Sequence, residues 1–170
     1  DGDFDSGTIT IRITGVGYTV EHYLADLNGD YPTIPTGKTD ECGIEGQMVD
    51  AADFEKDADS NVDFTGFDLA SCDPDGPVAI AVDENGDGTT VLRLYYARNV
   101  YGYTVHYYRD EIDPENLLTT DTGNAATFGA TIPHTTGTDL PNDAEFPAGY
   151  ATPGALYDKS GAAITVAPTI

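Results

Sequence analysis

The chain has 170 residues, of which 30 are acidic and 7 basic, giving a formal net charge of −23. Such a field repels phosphate backbones and anionic lipid surfaces, which argues against nucleic acid or a charged membrane surface as partner. Hydrophobic residues make up 39%, slightly under the globular norm, and no apolar run approaches the ~20 residues of a membrane-spanning helix.

The chain opens Asp1-Gly2-Asp3 without an initiator Met or signal peptide, and reads as a segment of a longer protein. Residues 7–13, Gly-Thr-Ile-Thr-Ile-Arg-Ile, alternate and predict a strand. Residues 1–15 are therefore expected to be the terminal strand of an upstream unit, or an added strand. In Gly17-Tyr18-Thr19-Val20-Glu21-His22-Tyr23 the alternation puts Tyr18, Val20 and His22 on one strand face and Thr19, Glu21 and Tyr23 on the other. Met48, Ala51, Ala52 and Glu55 share a narrow stripe at helical spacing and predict one short helix, roughly residues 46–57. Residues 80–82, 91–96 and 103–108 are further strand candidates, rich in β-branched and aromatic side chains. Asp113-Pro114-Glu115-Asn116 predicts a turn or helix start. Pro133, Pro141 and Pro147 then limit any later helix to a turn or two. A small sheet crossed by one short helix is a β-rich α+β arrangement.

An internal repeat organises these elements. Gly17-Tyr18-Thr19-Val20 returns as Gly102-Tyr103-Thr104-Val105, and Gly46 to Val49 aligns with Gly129 to Ile132. Gly66-Phe67 aligns with Gly149-Tyr150, and residues 80–82 with 164–166, all at nearly one spacing. Residues 7–13 also resemble Gly88-Thr89-Thr90-Val91-Leu92-Arg93-Leu94. The expected organisation is a first repeat at 16–100 and a second at 101–170.

Several constellations carry candidate chemistry. Asp83-Glu84-Asn85-Gly86-Asp87-Gly88 starts like a calcium loop, with Asp83, Asn85 and Asp87 as ligands. Its twelfth position is Leu94 instead of a bidentate Glu, and Asn-Gly between strands is a hairpin signal. A turn is expected, with calcium as the alternative cofactor reading; Asp26, Asn28 and Asp30 repeat the spacing. Cys42 and Cys72 are the only cysteines. A bridge would close a loop of about 30 residues and stabilise by about 3–4 kcal/mol in the entropic account; two separate thiols are the alternative. Cys42 to Gln47 loosely resembles an internal thioester sequence, with a spacing too long for the short form. Lys38, Lys56 and Lys159 would serve isopeptide crosslinks only if buried beside Asn and a carboxylate. His22, His106 and His134 fall at positions the repeat does not keep, so no per-unit metal or catalytic histidine emerges. With no nucleophile triad, phosphate loop or paired-cysteine motif, no enzymatic activity is expected. Tyrosines crowd the repeat junction, and alternation makes some face outward. Tyr96, Tyr101 and Tyr108 are the ligand-contact candidates, against a packing role for the cluster.

The strand Tyr103-Thr104-Val105-His106-Tyr107-Tyr108 followed by Arg109-Asp110 resembles the opening of the mucin-binding-protein repeats of Gram-positive surface proteins. Residues 18–23 with Asp26-Leu27-Asn28-Gly29-Asp30-Tyr31 resemble the opening of Listeria/Bacteroides-type internalin B repeats, and residues 90–99 resemble their closing strand. The resemblance spans about residues 16–170. It implies tandem β-grasp, ubiquitin-like modules and an extracellular, cell-surface address, with wall attachment through other regions. It implies an adhesin role with mucin or another host glycoprotein or glycan as partner, and neighbouring repeats of the same chain alongside. The alternative role is a non-binding stalk or spacer. The cysteine pair and the acidic stretch from Asp50 to Asp63 depart from the pattern.

Overall fold

The computed structural model describes residues 15–109 and 111–132, and the backbone of 156–157 and 163–164. The strand expected at 7–13, the later prolines, His134, Lys159 and the matches at 149–150 and 165–166 lie outside the described residues. The structure is β-rich, 50% strand, and among the described residues no helix reaches seven residues. The α+β expectation is thereby corrected. Contacts divide the chain into two compact units, residues 1–23, 32–63 and 69–95 in one and 24–31, 64–68 and 96–170 in the other.

β1 (Val16–Leu24), β2 (Gly37–Gly43), β4 (Phe67–Asp73) and β6 (Val91–Arg98) are hydrogen-bonded in the order β2-β1-β6-β4, and all but Leu24, Phe67, Asp68 and residues 96–98 of these strands belong to the first unit. β1 and β2 are antiparallel, with Gly17 opposite Cys42 and Glu21 opposite Lys38. Beside β6, the Thr19 amide donates to the Thr90 carbonyl at 3.1 Å and the Ala25 amide to that of Tyr96 at 3.0 Å. Both bonds span the same sequence separation, so β1 and β6 run parallel. The alternation read from the sequence sets the core: Tyr18, Val20 and His22 of β1 and Leu92 and Leu94 of β6 are buried. Ile80, Val49 and Ala51 join them, each large aliphatic contributing about 1.5–3 kcal/mol by leaving water. Tyr18 meets Phe54 edge-on at 6.2 Å. A two-residue pair, β3 (Met48–Val49) with β5 (Val78–Ala79), stands apart from the main sheet.

The helix expected at 46–57 does not form. Its span holds β3 and a single 3₁₀ turn, Ala51–Phe54, with a second at Ala58–Ser60. Asp50 accepts the Ala52 amide and Asp57 the Asp59 amide, both at 3.0 Å. Aspartate side chains that bond their own neighbouring amides favour caps and turns over helix continuation. Lys56, at φ 54°, and Asn61, at φ 57°, break the path again.

The second unit is led by a hairpin of β7 (Val100–Tyr108) and β8 (Leu117–Thr127), with the 3₁₀ turn Pro114–Asn116 before β8. Asp113 caps that turn through the Glu115 amide at 2.9 Å. Among its described residues Tyr107, Phe67, Tyr96 and Ala25 are buried and apolar. β9 (Leu156–Tyr157) and β10 (Ala163–Ile164) form a separate antiparallel pair.

The hairpins β1–β2 and β7–β8 share part of their register. Gly17 faces Cys42 and Tyr18 faces Glu41; Gly102 faces Ala125 and Tyr103 faces Asn124. A bulge between Tyr103 and Val105 then slips the second register by one, so that Val105 faces Asp121 where Val20 faces Thr39. After the second strand of each hairpin comes one tight turn. Gln47 donates its amide to the Ile44 carbonyl at 2.9 Å, and Ala130 to that of Thr127 at 2.8 Å. Gly46 (φ 79°) and Gly129 (φ 80°) occupy the same place in the two turns, a left-handed position that glycine takes without steric penalty.

Candidate functional site

The most organised polar group in the first unit lies on the sheet face opposite the core. Glu21 and Tyr23 of β1 and Arg93 and Tyr95 of β6 alternate with Val20, His22, Leu92 and Leu94, and Tyr23 is itself buried. Tyr23 stacks on Tyr95 at 5.1 Å and 22°, and its hydroxyl donates to Glu21 Oε2 at 2.8 Å. Arg93 Nε lies 3.2 Å from the same oxygen, and Arg93 Nη1 lies 3.1 Å from Asp73 Oδ2. Burial raises the Tyr23 phenol pKa, and the bond to Glu21 adds to the rise. Burial opposes the Arg93 charge, but Asp73 and Glu21 outweigh it and the guanidinium pKa is raised. Each charge here has its partner, so the group is suited to holding the strands together, not to proton transfer. The sequence signal for it was the strand alternation, which placed Glu21 and Tyr23 together but left Arg93 and Asp73 unassigned.

The three tyrosines chosen as ligand contacts do not share a surface. Tyr96 is 0% exposed and packs against Phe64 at 4.7 Å. It follows Leu92 and Leu94 on the inward face of β6, so its assignment as a contact residue is corrected. Tyr101 is 42% exposed, meets Phe128 edge-on at 6.4 Å and accepts a long 3.5 Å bond from Asn99 Nδ2. Tyr108 is half-buried beside His106, ring centres 6.3 Å apart. Tyr101 and Tyr108 stand at opposite ends of β7, about 20 Å apart at strand rise.

Cys42 and Cys72 are both free thiols. They sit on β2 and β4, the two edges of the four-stranded sheet. Three strand spacings separate those edges by about 14 Å, against the roughly 7 Å limit between disulfide-bonded Cα atoms. The expected bridge is corrected on that geometry. Cys42 is exposed; the Cys72 thiol pKa is raised by burial and by the charges of Asp50, Asp75 and Glu55.

The two Asp-x-Asn-Gly-Asp segments fold alike. Asp83 Oδ1 accepts the amides of Asn85 and Asp87, both at 2.9 Å, and Oδ2 accepts Asn85 Nδ2 at 3.3 Å. Asp26 Oδ1 takes the amides of Asn28 at 2.8 Å and Asp30 at 2.9 Å, and Oδ2 takes Asn28 Nδ2 at 3.3 Å. The Asp83 and Asp26 pKa values are lowered, first by the amides of Asp87 and Asp30 respectively. Each lead carboxylate is spent on its own backbone, which is turn chemistry. Among the described residues no group of three or more His, Cys, Asp or Glu side chains is arranged to hold a metal ion.

The remaining chemistry is likewise occupied. Gln47 Oε1 accepts the Ile44 amide at 3.1 Å, closing the 44–47 turn instead of approaching Cys42. Lys38, exposed, pairs with Asp40 at 3.2 Å, and Lys56 is exposed, so neither sits in the buried setting an isopeptide bond requires. His22 is fully buried, and burial lowers its pKa against a smaller opposing effect of Asp57. His106 is exposed, with Nδ1 3.0 Å from Thr120 Oγ1. Among the described residues no helix is long and apolar enough to cross a membrane. No protein-family model, curated protein or solved structure matches the chain.

Proposed function

We propose that this chain is a tandem-repeat segment of a bacterial cell-surface adhesin, related to the mucin-binding and internalin B-type repeats, and that each repeat is a β-grasp-like module. The observation that carries the reading is the recurrence, in the two halves of the chain, of an opening hairpin followed by one glycine turn, the second hairpin differing by a bulge after Tyr103. The strand order β2-β1-β6-β4, with β1 parallel to β6, supports it. In a β-grasp module the leading hairpin strand lies between its partner and the module's last strand. The two 3₁₀ turns between Ala51 and Ser60 then stand where the module's helix would be.

Of the two roles such a repeat can have, spacing is favoured over ligand capture. The tyrosines that would form a glycan platform are dispersed, one in the core and two at opposite ends of a strand. A surface of net charge −23 keeps neighbouring copies apart in solution. Probing the recombinant chain against immobilised mucin and a host-glycan array tests this. No retention is expected. Specific retention that Tyr101→Ala or Tyr108→Ala abolishes would overturn the spacer reading and make the segment a binding module.

A further inference from the structure

β6 passes into β7 through one residue, Asn99. A one-residue connection ordinarily swivels, yet here the chain is tied on every side, within the second unit. Arg98 Nε donates to the Ala25 carbonyl at 2.9 Å, and Nη1 donates to the Phe128 carbonyl at 2.8 Å. The guanidinium lies over the Phe67 ring, 4.8 Å from its centre, and that ring meets Phe128 edge-on at 6.0 Å. The Asn99 amide donates to the Gly66 carbonyl, and the Phe128 amide to the Asn99 carbonyl, both at 2.8 Å. Two glycines make room. A Cβ on Gly66 would enter the Phe128 ring, and one on Gly129 would lie 2.8 Å from Arg98 Nη1.

We propose that Arg98 is a conformational latch that holds the β6–β7 junction in one geometry by joining the chain segments at Ala25, Phe67 and Phe128. It draws together the three pieces, 24–31, 64–68 and the start of 96–170, that make up the second unit. The chemistry is specific to arginine. Only a planar fork reaches two carbonyls in different directions while its face rests on an aromatic ring. Lysine keeps the charge and loses the fork. The inference does not depend on the spacer reading, because it concerns one junction and not what the protein binds.

Amide hydrogen exchange on the full chain tests it, comparing wild type with Arg98→Lys, Arg98→Met and Gly129→Ala. The last variant crowds the guanidinium without removing it but also strains its own turn at φ 80°, so it counts only where Arg98→Lys shows the same loss. The Asn99 and Phe128 amides should lose protection by about tenfold or more in all three, the scale of one charge-assisted hydrogen bond. The amides of Val20, Leu92 and Leu94 should keep theirs, which separates local release from general unfolding. Wild-type protection at Asn99 and Phe128 in Arg98→Lys would overturn the latch, showing that charge alone suffices. An equal loss at all five amides would also overturn it, because the residue would then be an ordinary part of global stability. If Arg98→Met does not fold, Arg98→Lys carries the comparison.

Discussion

Truncating Tyr96 to alanine separates the two roles this residue could have, because the expected losses differ in kind. The side chain is 0% exposed and stacks at a tilt on Phe64. A tyrosine of this size removes ~150–250 Å² from water, and at about 25 cal/mol per Å² the transfer term alone is about 4–6 kcal/mol. The unfolded chain already hides part of that area, which trims the figure, and the cavity left behind restores some of it. The expected cost is therefore about 4 kcal/mol, in line with aromatic-to-alanine changes in cores. Domains of this size are stable by only about 5–15 kcal/mol, so the midpoint of urea unfolding should fall by about a quarter or more. The chain has no Trp, so far-ultraviolet circular dichroism and tyrosine emission are the probes. Tyr101→Ala serves as the exposed control, and its cost should stay within about 0.5 kcal/mol. A Tyr96→Ala protein as stable as wild type would refute the burial argument.

Three further outcomes follow from the geometry. Iodoacetamide without reductant should alkylate both cysteines, Cys42 faster than Cys72, because the Cys72 thiol is half-buried and its pKa is raised; a protein two mass units lighter and unreactive would mean a bridge. Millimolar calcium should leave the melting temperature unchanged, whereas Asp83→Ala and Asp26→Ala should each destabilise by comparable amounts, since each removes the same pair of side-chain-to-amide bonds; a calcium-dependent rise lost in Asp83→Ala would restore the metal reading. The His22 pKa is lowered in the fold from its ordinary 6.5, so the unfolded chain takes the proton first. Its contribution is intact above about pH 7 and shrinks as pH falls below 6.5, by at most ~1.4 kcal/mol per pH unit; His22→Gln should flatten that part of the unfolding profile, and an unchanged slope would count against it.

What the sequence disclosed and what it hid follow from range. Alternation is local, so the inward face of β1, with Tyr18, Val20 and His22, was legible. Turn chemistry is local too, and the Asn-Gly segments at 28–29 and 85–86 folded as turns. The helix at 46–57 failed because its apolar stripe was weighed without the aspartates beside it. Asp50 and Asp57 bond their own amides and cut the span into single turns. Tyr96 was misassigned because it continues an inward series, Leu92 and Leu94, into a cluster of tyrosines whose other members face elsewhere. The cysteine pairing needed strand order, which no single segment contains: residues close enough in sequence to bridge were delivered to opposite sheet edges. Arg98 left no signal at all, because its partners at 25, 67 and 128 lie far apart along the chain.

The parallel pairing of β1 with β6 has a mechanical consequence. A pulling force applied at Val16 and Arg98 would load these two strands. Drawn apart from Val16 and Arg98, two such strands slide lengthwise past each other, so their mutual hydrogen bonds resist in concert. An antiparallel hairpin gripped at its open end would instead peel one bond at a time. A chain loaded at those two ends would gain tensile strength from that arrangement with no added crosslink.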